Sequence, residues 1–152
     1  MTNDLKFSIV TPSYNEEKDI RDTIESFLNF SYPNKEILIV DDSSDKTPEI
    51  VKEYASRGVR LVNGPRKGCC EAVNLGIQEA TGDIIVQADA DVRPPKNFLE
   101  KLAEKYEAGA DWVIVDCRIP EWNTKSMFSR FSGAQHVYEH PPERSDMLYA
   151  EA

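Results

Sequence analysis

"EILIVDDSSDKTPEIVKEY", Glu36 to Tyr54, decides how the chain is read. Ile37 to Val40 is a short unbroken apolar run, the pattern of a buried strand, and it stops at Asp41-Asp42. Thr47 then fits a helix N-cap, Pro48 the first helical position and Glu49 the first turn. Ile50, Val51 and Tyr54 supply the apolar face of that helix. The same alternation recurs on either side. Phe7 to Thr11 reads as a buried strand stopped by Pro12. Asn15 reads as the cap of a helix with Glu16 and Glu17 in its first turn and Ile20, Ile24, Phe27 and Leu28 on one face. Downstream, Arg60 to Asn63 reads as a third strand and Glu71 to Ala80 as a helix with Ala72, Val73 and Ile77 inward. Asp83 to Ala88 reads as a fourth strand. Pro94 and Pro95 open a helix with Phe98, Leu99, Leu102 and Tyr106 on one face, and Trp112 to Val115 reads as a fifth strand. Strands alternating with helices predict an α/β domain with a mainly parallel sheet flanked by helices.

The 152 residues suffice for one domain, and 40% hydrophobic with 30% charged residues is the composition of a globular protein. A net charge of −9 argues against a nucleic-acid partner and against a polybasic membrane anchor. No apolar run approaches the roughly 20 residues of a membrane helix, and the N-terminus does not read as a signal peptide. The three cysteines, Cys69, Cys70 and Cys117, do not suggest a disulfide framework. A cytoplasmic location follows as the expectation, with peripheral membrane association as its variant.

In open α/β sheets, ligands sit beyond the carboxyl ends of the strands. Three polar clusters fall there: Thr11 to Asn15, Asp41 to Ser44, and Asp89 to Arg93. In "IIVQADADVRPP", Ile84 to Pro95, Asp89 and Asp91 would face one side of an extended chain, with Ala90 pointing away. Two such carboxylates repel unless a cation lies near, and oxygen ligands suit Mg²⁺ or Mn²⁺ carrying a phosphorylated ligand. A solvated acidic turn is the plainer alternative. Upstream, "NGPRKG" sets Arg66 and Lys67 between glycines before a helix, a place that favours anions. It has neither the P-loop spacing nor the dinucleotide-binding fingerprint.

In this order, "SIVTPSYNEE", "EILIVDDSSDKT" and "NGPRKGCCEAVNLGIQEATGDIIVQADADVRP" resemble the inverting family 2 glycosyltransferases of GT-A fold, over about residues 5–116. The resemblance implies one GT-A-like nucleotide-sugar-binding domain over 1–152, with 5–116 as its core and 117–152 as a C-terminal extension. It implies a nucleoside diphosphate sugar as donor, UDP-sugar favoured over GDP-sugar, and inverting, metal-assisted transfer to an acceptor hydroxyl. Thr11, Pro12, Ser13, Tyr14, Asn15 and Glu16 would line the base and ribose pocket. Asp41 would hydrogen-bond the base, with Asp42 supporting the loop. Lys67 with Arg66 would approach the pyrophosphate. Asp89 would contact ribose or a metal-bound water, and Asp91 would bind the metal.

The family's downstream catalytic base has no clear counterpart between Val92 and Ala152; Asp116, at a predicted strand end, is a weak candidate. Three expectations stand side by side: part of a larger transferase, a non-catalytic nucleotide-sugar-binding or assembly module, or a base supplied by a partner chain. A nucleotidylyltransferase is disfavoured because its glycine-rich loop after the first strand is replaced by "TPSYNEE". His136 and His140 match a zinc-protease motif in the wrong context, since Pro141 and Pro142 end any helix there. Met127, Phe128, Phe131, Val137 and Tyr138 would form a late apolar face, for packing, a membrane-associated partner or self-association. Cys69 and Cys70 sit close enough to the expected phosphate loop for redox control, although small buried hydrophobes are the plainer reading.

Overall fold

The structure, a computed structural model, describes residues 5–116 and 148–151. The chain divides into two compact units, Met1–Leu99 and Glu100–Ala152. The first contains β1 (Phe7–Ser13), α1 (Ile20–Leu28), β2 (Lys35–Asp41), α2 (Thr47–Glu53), a 3-10 turn (Ala55–Arg57), β3 (Val59–Asn63), α3 (Cys69–Glu79) and β4 (Ile84–Gln87). Its four strands are all parallel, in the order β3-β2-β1-β4.

β1 and β2 are the central strands and are covered on both faces. That is why they read as unbroken apolar runs rather than alternating ones. Ile9, Val10, Leu38, Ile39 and Val40 have no solvent exposure, and burying each such side chain contributes about 1.5–3 kcal/mol. The register pairs Val10 with Leu38 and Ser13 with Asp41. Val10, Leu38 and Val40 therefore share one face, and Ile9, Ile39 and Asp41 the other. α3 packs on the first face. A Cβ at Gly76 would lie 2.3 Å from Val10 Cγ1 and 3.0 Å from Val40 Cγ2, so this helix approaches the sheet as closely as a glycine permits. α1 and α2 pack against each other, as expected if right-handed crossovers place both on the opposite face.

Several boundaries differ from the sequence expectation. α1 begins at Ile20 after Asp19, whereas Asn15 adopts φ 58° in the preceding loop and caps nothing. Thr47 is the first residue of α2, not its cap. The Asp45 carboxylate accepts its N–H at 2.9 Å and its hydroxyl at 2.6 Å, so the capping group lies two residues upstream. α3 starts at Cys69 rather than Glu71, and Ile77 faces solvent because Ala72 and Gly76 take the sheet-facing positions. β4 is a short edge strand with Ile85 39% exposed, so it is not buried on both faces. Asp89 and Asp91 fall in the turn beyond it, not on the strand.

α4 spans Phe98–Glu107. Leu99, Leu102 and Ala103 are buried, and Tyr106, expected on their face, is exposed. β5 (Val113–Asp116) does not join the four-stranded sheet as a fifth strand. It pairs in parallel with β6 (Leu148–Glu151) in a separate two-stranded sheet. "LYAE" is too short and mixed a stretch to announce that partner. Expectations for Cys117, the late apolar face from Met127 to Tyr138, and the His136/His140 pair lie outside the described residues. Among the described residues, no helix is long and apolar enough to cross a membrane.

Candidate functional site

The carboxyl ends of β1, β2 and β4 open on one cavity of about 880 Å³, within the range of small-molecule sites. It lies where the strand order reverses, between β1 and β4, the place at which open α/β sheets bind ligands. Pro12, Ser13, Tyr14 and Glu16 enter it from the end of β1, and Asp42, Ser43 and Ser44 from the end of β2. Arg66, Gly68, Cys69 and Ala72 line it from the α3 side, and Asp89, Ala90 and Asp91 from beyond β4. The three polar clusters expected from sequence thus meet at one place.

The first two loops are stitched together by side chains. Asn15 N–H donates to Ser43 Oγ at 2.7 Å, and Asn15 Oδ1 accepts Ser44 N–H at 2.9 Å. Glu16 N–H donates to Thr47 Oγ1 at 2.9 Å, and Glu17 N–H to Asp45 Oδ2 at 3.2 Å. Asn15 is therefore the clasp between two loops rather than part of the cavity lining. Its left-handed backbone suits asparagine, which tolerates that region better than most residues. Tyr14, 66% exposed, is among the residues lining the cavity.

Thr11 is fully buried and does not line the cavity; its hydroxyl has no hydrogen-bond partner among the described residues. Asp41 is set back in the same way. Its Oδ1 accepts both Ser13 Oγ and Ser43 Oγ at 2.6 Å, and its Oδ2 accepts Ser43 N–H at 3.2 Å. The serines line the cavity and Asp41 stands behind them. Asp42, one residue on, points the other way into the cavity. Its Oδ1 accepts Arg66 N–H at 2.8 Å, and a Cβ on Gly64 would come within 2.2 Å of that oxygen. Of the two aspartates expected at the site, Asp42 is the one that lines the cavity. Of the basic pair, Arg66 lines the cavity on a left-handed backbone of φ 55°, whereas exposed Lys67 does not line it. Ser13 lies in the segment expected to line the pocket and does so; Ser43 carries no signal in the sequence beyond its place in the cluster that follows β2.

Asp89 and Asp91 are exposed and line the cavity together with Glu16. Burial raises the Glu16 carboxyl above its ordinary value, and the negative charges of Asp91, Asp19, Asp45 and Asp89 raise it further. A raised carboxyl binds its proton more tightly in the folded chain. This stabilising effect is complete below the unfolded pKa and is lost as pH rises through the folded one. Glu16→Gln is therefore expected to stabilise the fold at neutral pH by less than about 1 kcal/mol. The gain should vanish in thermal melts run at acid pH, below the ordinary glutamate range.

The donor set fits a hard divalent cation of the Mg²⁺ or Mn²⁺ kind. Asp89 and Asp91 offer oxygens in a region of negative potential. Among the described residues no group of three or more acidic, histidine or cysteine side chains is placed to hold a metal alone. Two carboxylates with the remaining positions left to phosphate and water is the usual arrangement for such ions. Asp116 ends β5 in the second unit. Cys69 and Cys70 are free and exposed, not buried hydrophobes, and Cys69 borders the cavity.

A family model described as glycosyl transferase family 2 matches residues 8–147. The chain belongs to glycosyl transferase family 2. The dolichol-phosphate mannosyltransferase of Pyrococcus furiosus is 35% identical over 114 residues, covering 72% of this chain and 32% of that protein. Among solved structures of glycosyltransferases, S. aureus TarS in complex with UDP superposes with a TM-score of 0.66 at 25% identity, over 80% of this chain and 40% of that one. The mannosyltransferase PcManGT of Pyrobaculum calidifontis, in complex with GDP-Man and Mn²⁺, gives a TM-score of 0.63 at 28% identity, over 78% and 37%. The parallel sheet with flanking helices is the GT-A fold. The chain spans about a third of the curated mannosyltransferase's length and two fifths or less of these two structures.

Proposed function

We propose that this chain carries the donor-binding part of a glycosyltransferase. It would bind a nucleoside diphosphate sugar, with UDP-sugar favoured, together with Mg²⁺ or Mn²⁺, for inverting transfer to an acceptor hydroxyl. The observation that carries the reading is the convergence of Tyr14, Asp42, Arg66, Asp89 and Asp91 on one cavity at the strand-order reversal. Tyr14 offers a ring face for the base, and Asp42, fixed by Arg66 N–H, offers its second carboxylate oxygen to a base N–H. Arg66 faces the diphosphate as a fixed positive charge, which stabilises negative charge building on the leaving phosphate. A divalent ion held by Asp89 and Asp91 would supply Lewis-acid stabilisation of that same charge. TarS with UDP and PcManGT with GDP-Man and Mn²⁺ support the ligand class and leave the base open between uridine and guanosine.

Calorimetric titration with UDP and with GDP, each in Mn²⁺ and in EDTA, tests the reading. Metal-dependent binding of one nucleotide is expected, and binding of neither would overturn it. Gly64→Ala should expel the Asp42 carboxylate from its place. Loss of one hydrogen bond to a charged group would weaken nucleotide affinity about tenfold, and wild-type affinity in that variant would remove Asp42 from the site.

A further inference from the structure

The turn carrying Asp89 and Asp91 lies beyond the end of β4, past the backbone bond from Ala88 N–H to Val10 C=O. What holds its carbonyls are side chains. Thr23, in the middle of α1 and with no solvent exposure, donates its hydroxyl to Ala90 C=O at 2.7 Å. A helical threonine ordinarily turns its hydroxyl back to the carbonyl four residues earlier. Here that acceptor, Asp19 C=O, lies farther away at 3.2 Å. The single hydroxyl proton can serve one acceptor at a time, and the shorter contact crosses from the helix to the turn. The next carbonyl, of Asp91, accepts Arg93 Nη1–H at 2.9 Å. Arg93 is itself tied to α1 through Asp19 Oδ1 at 2.9 Å and Asp22 Oδ2 at 3.5 Å. Two successive carbonyls, one between the two acidic side chains and one on the second of them, are thereby fixed to α1.

We infer that Thr23 is a positioning residue: from α1 it holds the Ala90 carbonyl, with Arg93 holding the next, so that the Asp89 and Asp91 carboxylates stand at the spacing a divalent cation and a diphosphate require. This rests on the reading of the cavity as a metal–nucleotide site. Thr23 does not itself line the cavity, whereas Asp89, Ala90 and Asp91 do. Without the hydroxyl, the Ala90 carbonyl loses its buried donor and the turn is free to shift, carrying both carboxylates with it. The side chain's remaining methyl group would keep α1 packed. The damage therefore falls on the metal-dependent part of binding.

The test uses the whole chain with Mn²⁺ and UDP as probes, or GDP if that is the nucleotide bound. Free Mn²⁺ is counted by electron paramagnetic resonance in the presence of nucleotide, and nucleotide affinity is measured separately in EDTA. Thr23→Val, which keeps the shape and removes the hydroxyl, is expected to weaken Mn²⁺ binding roughly tenfold or more, the usual scale for partners that orient metal ligands. Affinity in EDTA should stay within about twofold, by the same separation of the two roles. Thr23→Ser restores the donor and should restore Mn²⁺ binding. Arg93→Met, at a more exposed position, should act in the same direction and decides the matter if Thr23→Val does not give a cooperative melt. Wild-type Mn²⁺ affinity in Thr23→Val, or an equal loss in Mn²⁺ and in EDTA, overturns the positioning role while leaving the metal–nucleotide site standing. A wild-type chain whose nucleotide binding ignores Mn²⁺ overturns both.

Discussion

Asp91→Ala is expected to abolish the metal dependence of nucleotide binding while the chain melts as the wild type does. The expectation rests on place and charge. Asp91 is exposed in a turn beyond the sheet, and among the described residues its carboxylate makes no hydrogen bond that would be lost. Its charge, by contrast, is felt at the site, since it is the foremost neighbouring charge raising the Glu16 carboxyl. Removing it leaves Asp89 as the one carboxylate of the pair. A divalent ion bridging protein and phosphate contributes several kcal/mol. Affinity for UDP in Mn²⁺ should therefore fall roughly a hundredfold and converge on the value in EDTA. Titration in both buffers, with a thermal melt alongside, measures this. Retained Mn²⁺-dependent affinity would refute the metal assignment of Asp89 and Asp91.

Asp41→Ala should do the opposite: it should damage the fold first. Its carboxylate accepts two serine hydroxyls and one backbone N–H at the join of the β1 and β2 ends. Alanine leaves those donors without an acceptor in a buried place, at about 2–3 kcal/mol in all, because water from the adjoining cavity offsets part of the loss. For a chain of this size that lowers the melting temperature by roughly 5–10 °C. Asp41→Asn keeps one acceptor oxygen and should lose about half as much. Asp42→Ala is the contrast. Its carboxylate faces the cavity and accepts the N–H of an exposed residue, Arg66. It should weaken nucleotide binding with little change in melting. If Asp41→Ala melted normally and lost nucleotide affinity while Asp42→Ala did not, the assignment of the two roles would have to be reversed.

Residue order alone settles the class of fold and the neighbourhood of the candidate site. Unbroken apolar runs such as Ile37 to Val40, alternating with amphipathic helices, suit a parallel sheet covered on both faces, and the order of strand-end clusters follows from the chain direction. It determined the family as well, because motifs at ordinary spacings are a one-dimensional property. Which side chain of each cluster reaches the cavity depended on the tertiary arrangement. Asp41 and Asp42 are chemically identical and adjacent, and only strand register and the helix covering each face send one behind the serines and the other into the cavity. Thr11 is turned away for the same reason, and Arg66 rather than Lys67 enters because the loop takes a left-handed turn there. Asn15 looks like a cap locally and proves to be a clasp, since its partners lie on the next strand's loop. Thr23 carried no local signal at all. Its acceptor is far along the chain, and a hydrogen bond between distant segments exists only once the sheet has brought α1 against the turn after β4.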